Sequence, residues 1–161
     1  MIDKKQISPK QALIKAQNLC ARSEKCKADI RQKLYDWQIS SQDINKIIDL
    51  LIQEKFIDEL RYAEYFVRDK YRFNKWGRIK IAYILKQKQI PKNFINQALH
   101  EINEKEYRES IKNEIIKKHK NIKNTEAHKL KEKLLRFSQS RGYELEISLD
   151  IIEKIISSKI D

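Results

Sequence analysis

The chain has 161 residues, a formal net charge of +12, and only two glycines and two prolines. So few turn-forming residues argue against a sandwich or barrel, and neither G-x-G-x-x-G nor G-x-x-x-x-G-K-[ST] occurs, which argues against Rossmann and P-loop nucleotide sites. No apolar run approaches the roughly 18 residues of a membrane helix, and the start of the sequence holds no apolar signal core, so we expect a soluble, cytoplasmic protein. Apolar residues recur at helical spacing along nearly the whole chain, which predicts an all-α fold.

Helices are predicted in the first hundred residues wherever a helix-starting residue precedes an apolar stripe. These starting residues, in chain order, are Ser8 with Pro9, Ser23, Ser40, Asp58, Asn74 and Pro91. Serine, aspartate and asparagine side chains accept hydrogen bonds from the free N–H groups of a first turn, and proline lacks the N–H that would go unpaired there. Helix capping therefore explains Asp58 without invoking catalysis.

The predicted helices form an internal repeat. A constant offset of 51 residues superimposes the apolar stripes of the two halves: Ala12 on Ala63, Ala16 on Val67, Ile30 on Ile81, Leu34 on Leu85, Ile44 on Ile95 and Ile48 on Leu99. The repeating unit is three short helices, whose small core favours stacking against neighbouring units. We place the first two three-helix units at residues 8–53 and 58–102.

A third, looser unit is predicted at residues 104–160. Tyr107 and Ile111 begin its first stripe, and Thr125 is the candidate cap of its second helix. That helix is expected to end at Arg141-Gly142, with the glycine in the left-handed cap conformation. The sequence thus predicts about nine helices in three tandem units, the last of them a terminal capping repeat.

No constellation of residues indicates catalysis, a metal site or a bound cofactor. The three histidines, His100, His119 and His128, are dispersed, and no Cys-x-x-Cys occurs, whereas zinc needs several ligands that converge. Cys20 and Cys26 lie on apolar stripes, which favours small core residues in a reducing compartment over a catalytic nucleophile. We therefore expect a non-enzymatic protein.

The most informative feature is a basic segment. Residues 68–92 hold nine cations against one anion, and residues 117–133 hold seven lysines against two glutamates. The candidates for contact with a polyanionic partner are Arg68, Arg72, Lys75, Arg78 and Lys86, all expected to face solvent. Arg68 and Arg72 lie one helical turn apart, so both can face one partner. A solvated, lysine-rich surface is the alternative.

Aromatic residues are interleaved with these cations between residues 62 and 76. Such a mixture can stack bases and bind phosphates, but helical spacing favours core positions for Phe66, Tyr71 and Trp76. We expect Trp76 to pack at the start of the second unit's middle helix. Gly77 is expected to allow the close approach of a neighbouring helix, since glycine otherwise destabilises a helix.

Several separated motifs together resemble the RecX family of bacterial recombinase regulators. The strongest are FIDELRYAEYFVR at residues 56–68, NKWGRIKI at residues 74–81 and LKQKQI at residues 85–90. ARS at 21–23 with IRQKL at 30–34, and FSQSRGY at 137–143, are similar to the family's first and third repeats. One departure is Gln89, which stands where the family usually has glycine and suggests a different local helix end.

The resemblance implies an elongated, curved array of three-helix repeats without enzymatic activity. It implies binding to RecA, chiefly in the groove of RecA filaments on single-stranded DNA, with inhibition of strand exchange and coupled ATP hydrolysis and net loss of filament. DNA repair, recombination and the SOS response would be the processes affected. Direct binding to single- or double-stranded DNA is a further expectation, as is a monomeric state without membrane contact. A general nucleic-acid-binding helical repeat protein is the alternative.

Overall fold

The computed structural model describes residues 6–158 and contains nine α-helices and no strand within that range. In chain order the helices are α1 (Pro9–Arg22), α2 (Lys27–Asp36), α3 (Ser41–Gln53), α4 (Glu59–Arg72), α5 (Arg78–Gln87), α6 (Lys92–His100), α7 (Glu104–Lys120), α8 (Ala127–Arg141) and α9 (Leu145–Ser157). The predicted all-α fold is confirmed. Among the described residues, no helix is long and apolar enough to cross a bilayer.

The helices pack in consecutive groups of three: α1–α3, α4–α6 and α7–α9, called unit 1, unit 2 and unit 3 below. Each unit surrounds a cluster of buried apolar side chains. The 51-residue repeat holds at the level of helices, because α5 begins and ends 51 residues after α2. The boundaries assigned from the sequence stay a prediction, and the expected end at residue 160 lies outside the described residues.

Local sequence explains where several helices begin. The side chains of Ser8, Ser40 and Asp58 cap α1, α3 and α4 as predicted, each accepting a hydrogen bond from the N–H three residues later at 3.0–3.2 Å. Pro91 stands at the N-cap of α6, one residue before the predicted first-turn position. Gly142 ends α8 with φ 82°, in the predicted left-handed conformation.

Three predicted caps are wrong, and tertiary packing gives the reason for two of them. The helix expected to start at Ser23 starts after Cys26, because Cys26 is fully buried in the core of unit 2. The equivalent helix starts after Gly77 instead of Asn74, because Gly77 packs against the end of α8. The third error is a shift of one residue, from Thr125 to Glu126.

The expectation of an altered helix end at Gln89 is wrong. Gln89 has φ 61° and its repeat equivalent Gln38 has φ 62°, so both adopt the left-handed conformation that glycine favours. The following Ile39 and Ile90 are buried, and each donates its N–H to the carbonyl five residues earlier at 3.1 Å. Glutamine therefore occupies the same left-handed helix end at an energetic cost, since L-residues lose about 1–2 kcal/mol there.

Units 1 and 2 are joined by ion pairs as well as by the burial of Cys26 in the core of unit 2. Arg61 Nε lies 2.7 Å from Glu24 Oε1, and Lys88 Nζ lies 2.7 Å from Asp29 Oδ1. Burial alone would raise the pKa of the Asp29 carboxyl, but Lys88 and hydrogen bonds from Cys26 outweigh burial and lower it. These contacts bridge partly exposed groups, so salt screens them.

Units 2 and 3 are joined by backbone contacts at Gly77. Its N–H donates to the Arg141 carbonyl at 2.6 Å, and the Ile79 N–H donates to the Gly142 carbonyl at 3.1 Å. A Cβ at residue 77 would lie 2.7 Å from Tyr143 Cδ1 and closer still to the Gly142 carbonyl oxygen. The predicted close approach at Gly77 is confirmed, and the neighbour is the end of α8.

Candidate functional site

The outer face of α4 carries two exposed arginines with one exposed aromatic ring. Arg68 and Arg72 are both exposed, and Tyr65 is 46% exposed. The spacing of three and four residues places these side chains on one face, called the α4 stripe below. The opposite face buries Tyr62, Ala63, Phe66 and Val67 in the core of unit 2.

Neither arginine of the α4 stripe forms an ion pair within residues 6–158. Both guanidinium groups are therefore available to a partner. Each presents a planar set of N–H donors that fits a carboxylate or a phosphate. The arrangement can bind an acidic surface, and it contains no group placed for catalysis.

The other three predicted contact residues, Lys75, Arg78 and Lys86, differ in exposure and do not lie on α4. Lys86 is exposed on α5, on a different helix from the α4 stripe. Lys75 is partly buried with φ 57°, and its carbonyl accepts a hydrogen bond from the Tyr143 hydroxyl at 2.6 Å. The Lys75 backbone therefore belongs to the junction between units 2 and 3.

Arg78 does not face solvent as expected. Its guanidinium forms ion pairs with Glu104 and, at 3.3 Å, with Glu144, and lies 4.1 Å from the centre of the Tyr107 ring. The Tyr107 hydroxyl accepts from the Arg78 N–H at 3.0 Å and donates to Glu144 at 2.7 Å. Although burial alone would lower the pKa of Arg78, the two carboxylates raise it. The side chain therefore locks units 2 and 3 together.

The predicted structural residues lie where their chemistry requires. Phe66 is buried, with its ring centre 6.0 Å from that of Tyr62. Trp76 precedes α5, is partly buried and packs against the core of unit 2. Lys80 Nζ lies 4.3 Å from the centre of the Trp76 ring and Lys70 Nζ lies 5.2 Å from it. The ring therefore holds two basic side chains near the surface.

The cysteines are structural, as the sequence indicated. Burial, the largest cause, raises the pKa of the Cys26 thiol to about 11, so the thiol stays protonated near neutral pH. Cys20 is partly buried against the core of unit 1, and burial raises its pKa as well. Among residues 6–158, no three His, Cys, Asp or Glu side chains converge on a point that could hold a metal ion.

Two members of the aromatic group between residues 62 and 76, Tyr65 and Phe73, are exposed. Tyr65 belongs to the α4 stripe, and Phe73, which ends α4, is 80% exposed. Both residues lie away from the apolar stripe of α4, and this position in the sequence pattern already predicts that they are exposed. The sequence contains no such signal for the positions of Lys75 and Arg78, because their partners lie 26 to 68 residues further along the chain.

Comparison with known proteins gives a consistent result. A family model described as "RecX, second three-helix domain" matches residues 58–99. "Regulatory protein RecX" of Clostridium botulinum strain Eklund 17B is 32% identical over 162 residues, covering 97% of this chain and 76% of that protein. The protein of the same name from Clostridium acetobutylicum is 30% identical over 147 residues, covering 89% and 68% respectively.

Solved structures show the same fold. The crystal structure of RecX from Lactobacillus salivarius superimposes with a TM-score of 0.78 at 22% identity, covering 91% of this chain and 95% of that one. A crystal structure described as regulatory protein RecX gives a TM-score of 0.83 at 21% identity, covering 95% and 80%. The tandem three-helix architecture is therefore shared with these proteins.

Proposed function

Since the chain belongs to the RecX family of regulatory proteins, we propose that it binds RecA and RecA filaments on single-stranded DNA, and inhibits strand exchange and the coupled ATP hydrolysis. Similarity over nearly the whole chain to relatives named as regulatory proteins supports a regulatory role without catalysis of its own. Acting on the recombinase places the protein in the cytoplasm and in DNA repair and recombination.

The single observation that carries the binding proposal is the α4 stripe. Burying an arginine at an interface is favourable only when the partner supplies anionic acceptors. Arg68 and Arg72 have no internal partner among the described residues, so the matching surface on the recombinase filament should be acidic. Tyr65 adds an amphipathic ring of the kind enriched in interface hot spots.

The tandem arrangement of units supports binding to a filament rather than to one subunit. Three units placed in series can contact several filament subunits at once, and linked weak contacts raise the overall affinity without any new kind of contact. A protein held in this way would occupy the space that an incoming duplex needs. Inhibition would then follow from exclusion, with no chemical step on the regulator.

Charge reversal on the α4 stripe tests the proposal. Arg68→Glu with Arg72→Glu should raise the concentration needed for half-inhibition of RecA-driven strand exchange and DNA-dependent ATP hydrolysis by at least about tenfold. The matched control is Lys33→Glu with Lys46→Glu, which reverses two exposed charges in unit 1. Equal loss from both pairs would mean that total charge decides inhibition, and full inhibition by the first variant would exclude α4 from the interface.

A general nucleic-acid-binding protein is the second candidate, favoured by the net charge of +12. Binding to naked single-stranded DNA, RecA alone and the assembled filament separates the two. The regulator should bind the filament more tightly than either component. Equal affinity for naked DNA and for the filament would favour the second candidate.

A further inference from the structure

A basic groove runs along the junction of units 2 and 3 and continues between α7 and α8. It consists of two adjoining depressions of about 520 and 600 Å³ that share Ser140 as a lining residue. Eight cations line them: Lys75, Lys80, Lys117 and Arg141 in the first, and Lys118, Lys123, Lys133 and Arg136 in the second. The groove shares no lining residue with the α4 stripe, although Phe73 directly follows Arg72. The sequence pattern did not predict the groove, because its residues come from α5, α7, α8 and two connecting segments.

The charge of the groove is almost uncompensated. Glu114 is the acidic residue that lines it, and this carboxylate lies 3.7 Å from Arg141. The second depression has four cations and no acidic residue among its lining residues. Clustering of like charges in a concave site strengthens the local potential and attracts a polyanion.

Aromatic rings hold part of this charge in place. Lys80 Nζ lies 4.3 Å from the centre of the Trp76 ring, and Arg141 Cζ lies 5.0 Å from the centre of the Phe137 ring. Cations held in this way lose less side-chain freedom when a ligand binds. Phe73 lines the first depression and is 80% exposed, so its ring is open to a flat partner.

We propose that this groove binds single-stranded nucleic acid, with phosphates on the cations and an unpaired base stacked on Phe73. Cations that follow a groove beside an exposed aromatic ring are the combination that single strands require. An acidic peptide would use the charges but would leave the ring without a base to stack. A duplex keeps its bases stacked on one another, so it would also leave Phe73 unused.

This assignment deepens the proposed function, since the bound strand would be that of the recombinase filament. It is tested without the recombinase, by fluorescence anisotropy with a labelled oligothymidylate and an abasic strand of equal length. A negative result in this DNA-binding assay would not affect the proposal that the α4 stripe binds the filament. A negative result with the α4 variants in the inhibition assays would not affect the proposal that the groove binds single strands.

The first comparison removes phosphate contacts. Each phosphate contact on a single strand contributes about 0.7 to the slope of log affinity against log salt, so the double variant Lys133→Ala with Arg136→Ala should lower that slope by about 1.4. At about 0.1 M salt this corresponds to binding weakened by about 25-fold. Both side chains are exposed, so the fold should persist. The control pair Lys33→Ala with Lys46→Ala removes the same charge from unit 1 and should change affinity by less than about twofold. An equal loss of affinity in both double variants would overturn the assignment of the groove as the binding site.

The second comparison removes the stacking ring. Phe73→Ala should weaken binding of the oligothymidylate by about tenfold, leave the salt slope unchanged, and leave binding of the abasic strand unchanged. Equal loss for the two strands, or no loss for either, would overturn stacking on Phe73. A duplex that binds the wild-type chain as tightly as the single strand would overturn the single-strand assignment.

Discussion

Adding one methyl group at Gly77 should separate units 2 and 3. The φ of Gly77 is −85°, which any residue adopts, so Gly77→Ala tests the contact and not the backbone. The new Cβ would lie 2.7 Å from Tyr143 Cδ1 and closer still to the Gly142 carbonyl oxygen. A backbone carbonyl cannot rotate away as a long side chain can, so α5 and the end of α8 must move apart.

The expected cost follows from the contacts that would be lost. Overpacking costs about 1–3 kcal/mol. Separation also breaks the hydrogen bonds from the Gly77 and Ile79 N–H groups to the end of α8, at about 1 kcal/mol each. The sum is about 3–5 kcal/mol, which for a chain of this size corresponds to about 10 °C in melting temperature.

Two measurements check this expectation: urea denaturation, and hydrogen exchange of the Gly77 and Ile79 amides. The variant should unfold at lower urea, and both amides should lose protection. Glu126→Ala is the control, since Glu126 is an exposed N-cap without a side-chain capping bond and should change stability by less than about 0.5 kcal/mol. Unchanged stability together with retained protection at both amides would refute the close-packing account.

Three further perturbations test particular contacts. Replacing Gln89 or Gln38 by glycine should stabilise the fold by about 0.5–1 kcal/mol each in thermal denaturation, because glycine adopts the left-handed conformation without a Cβ penalty. Arg78→Met should destabilise the chain by about 2 kcal/mol and reduce the salt dependence of urea denaturation, because it removes ion pairs between units 2 and 3. The lowered pKa of the Asp29 carboxyl contributes stability above the unfolded pKa near 3.9, and this contribution is lost as pH falls through the folded pKa. Asp29→Asn should therefore cost about 1 kcal/mol in urea denaturation at about pH 7, and less at a pH below the folded pKa of Asp29, where Lys88 no longer faces a charged partner.

Each of these has an outcome that contradicts it. Gln32→Gly, an exposed change inside α2, should destabilise by about 1 kcal/mol, so destabilisation at Gln89 and Gln38 as well would refute the left-handed argument. Unchanged stability of the Arg78→Met variant would mean that Arg78 does not stabilise the junction of units 2 and 3, and the residue would again be a candidate for contact with a partner. An Asp29→Asn effect that is equal at both pH values would point to packing and not charge.

Most of the fold was predictable because it depends on local pattern. Apolar residues at helical spacing mark one buried face per helix, and Ser8, Ser40 and Asp58 satisfy first-turn N–H groups without help from distant residues. The repeat was equally visible, since a 51-residue offset preserves which side of each helix is apolar. The exposed positions of Arg68 and Arg72 follow from the same periodicity, because the buried side of α4 is defined by its apolar residues.

Only the tertiary structure decided where α2 and α5 begin and which cations are free. Cys26 and Gly77 displace the predicted caps because each packs against a neighbouring unit, and no local pattern records that neighbour. A charge count places Arg78 with its basic neighbours, yet Glu104 and Glu144, which are distant in the sequence, engage its guanidinium once units 2 and 3 pack together. The sequence by itself therefore determined which faces are buried within a unit, and packing between units determined which charged groups remain available to a partner.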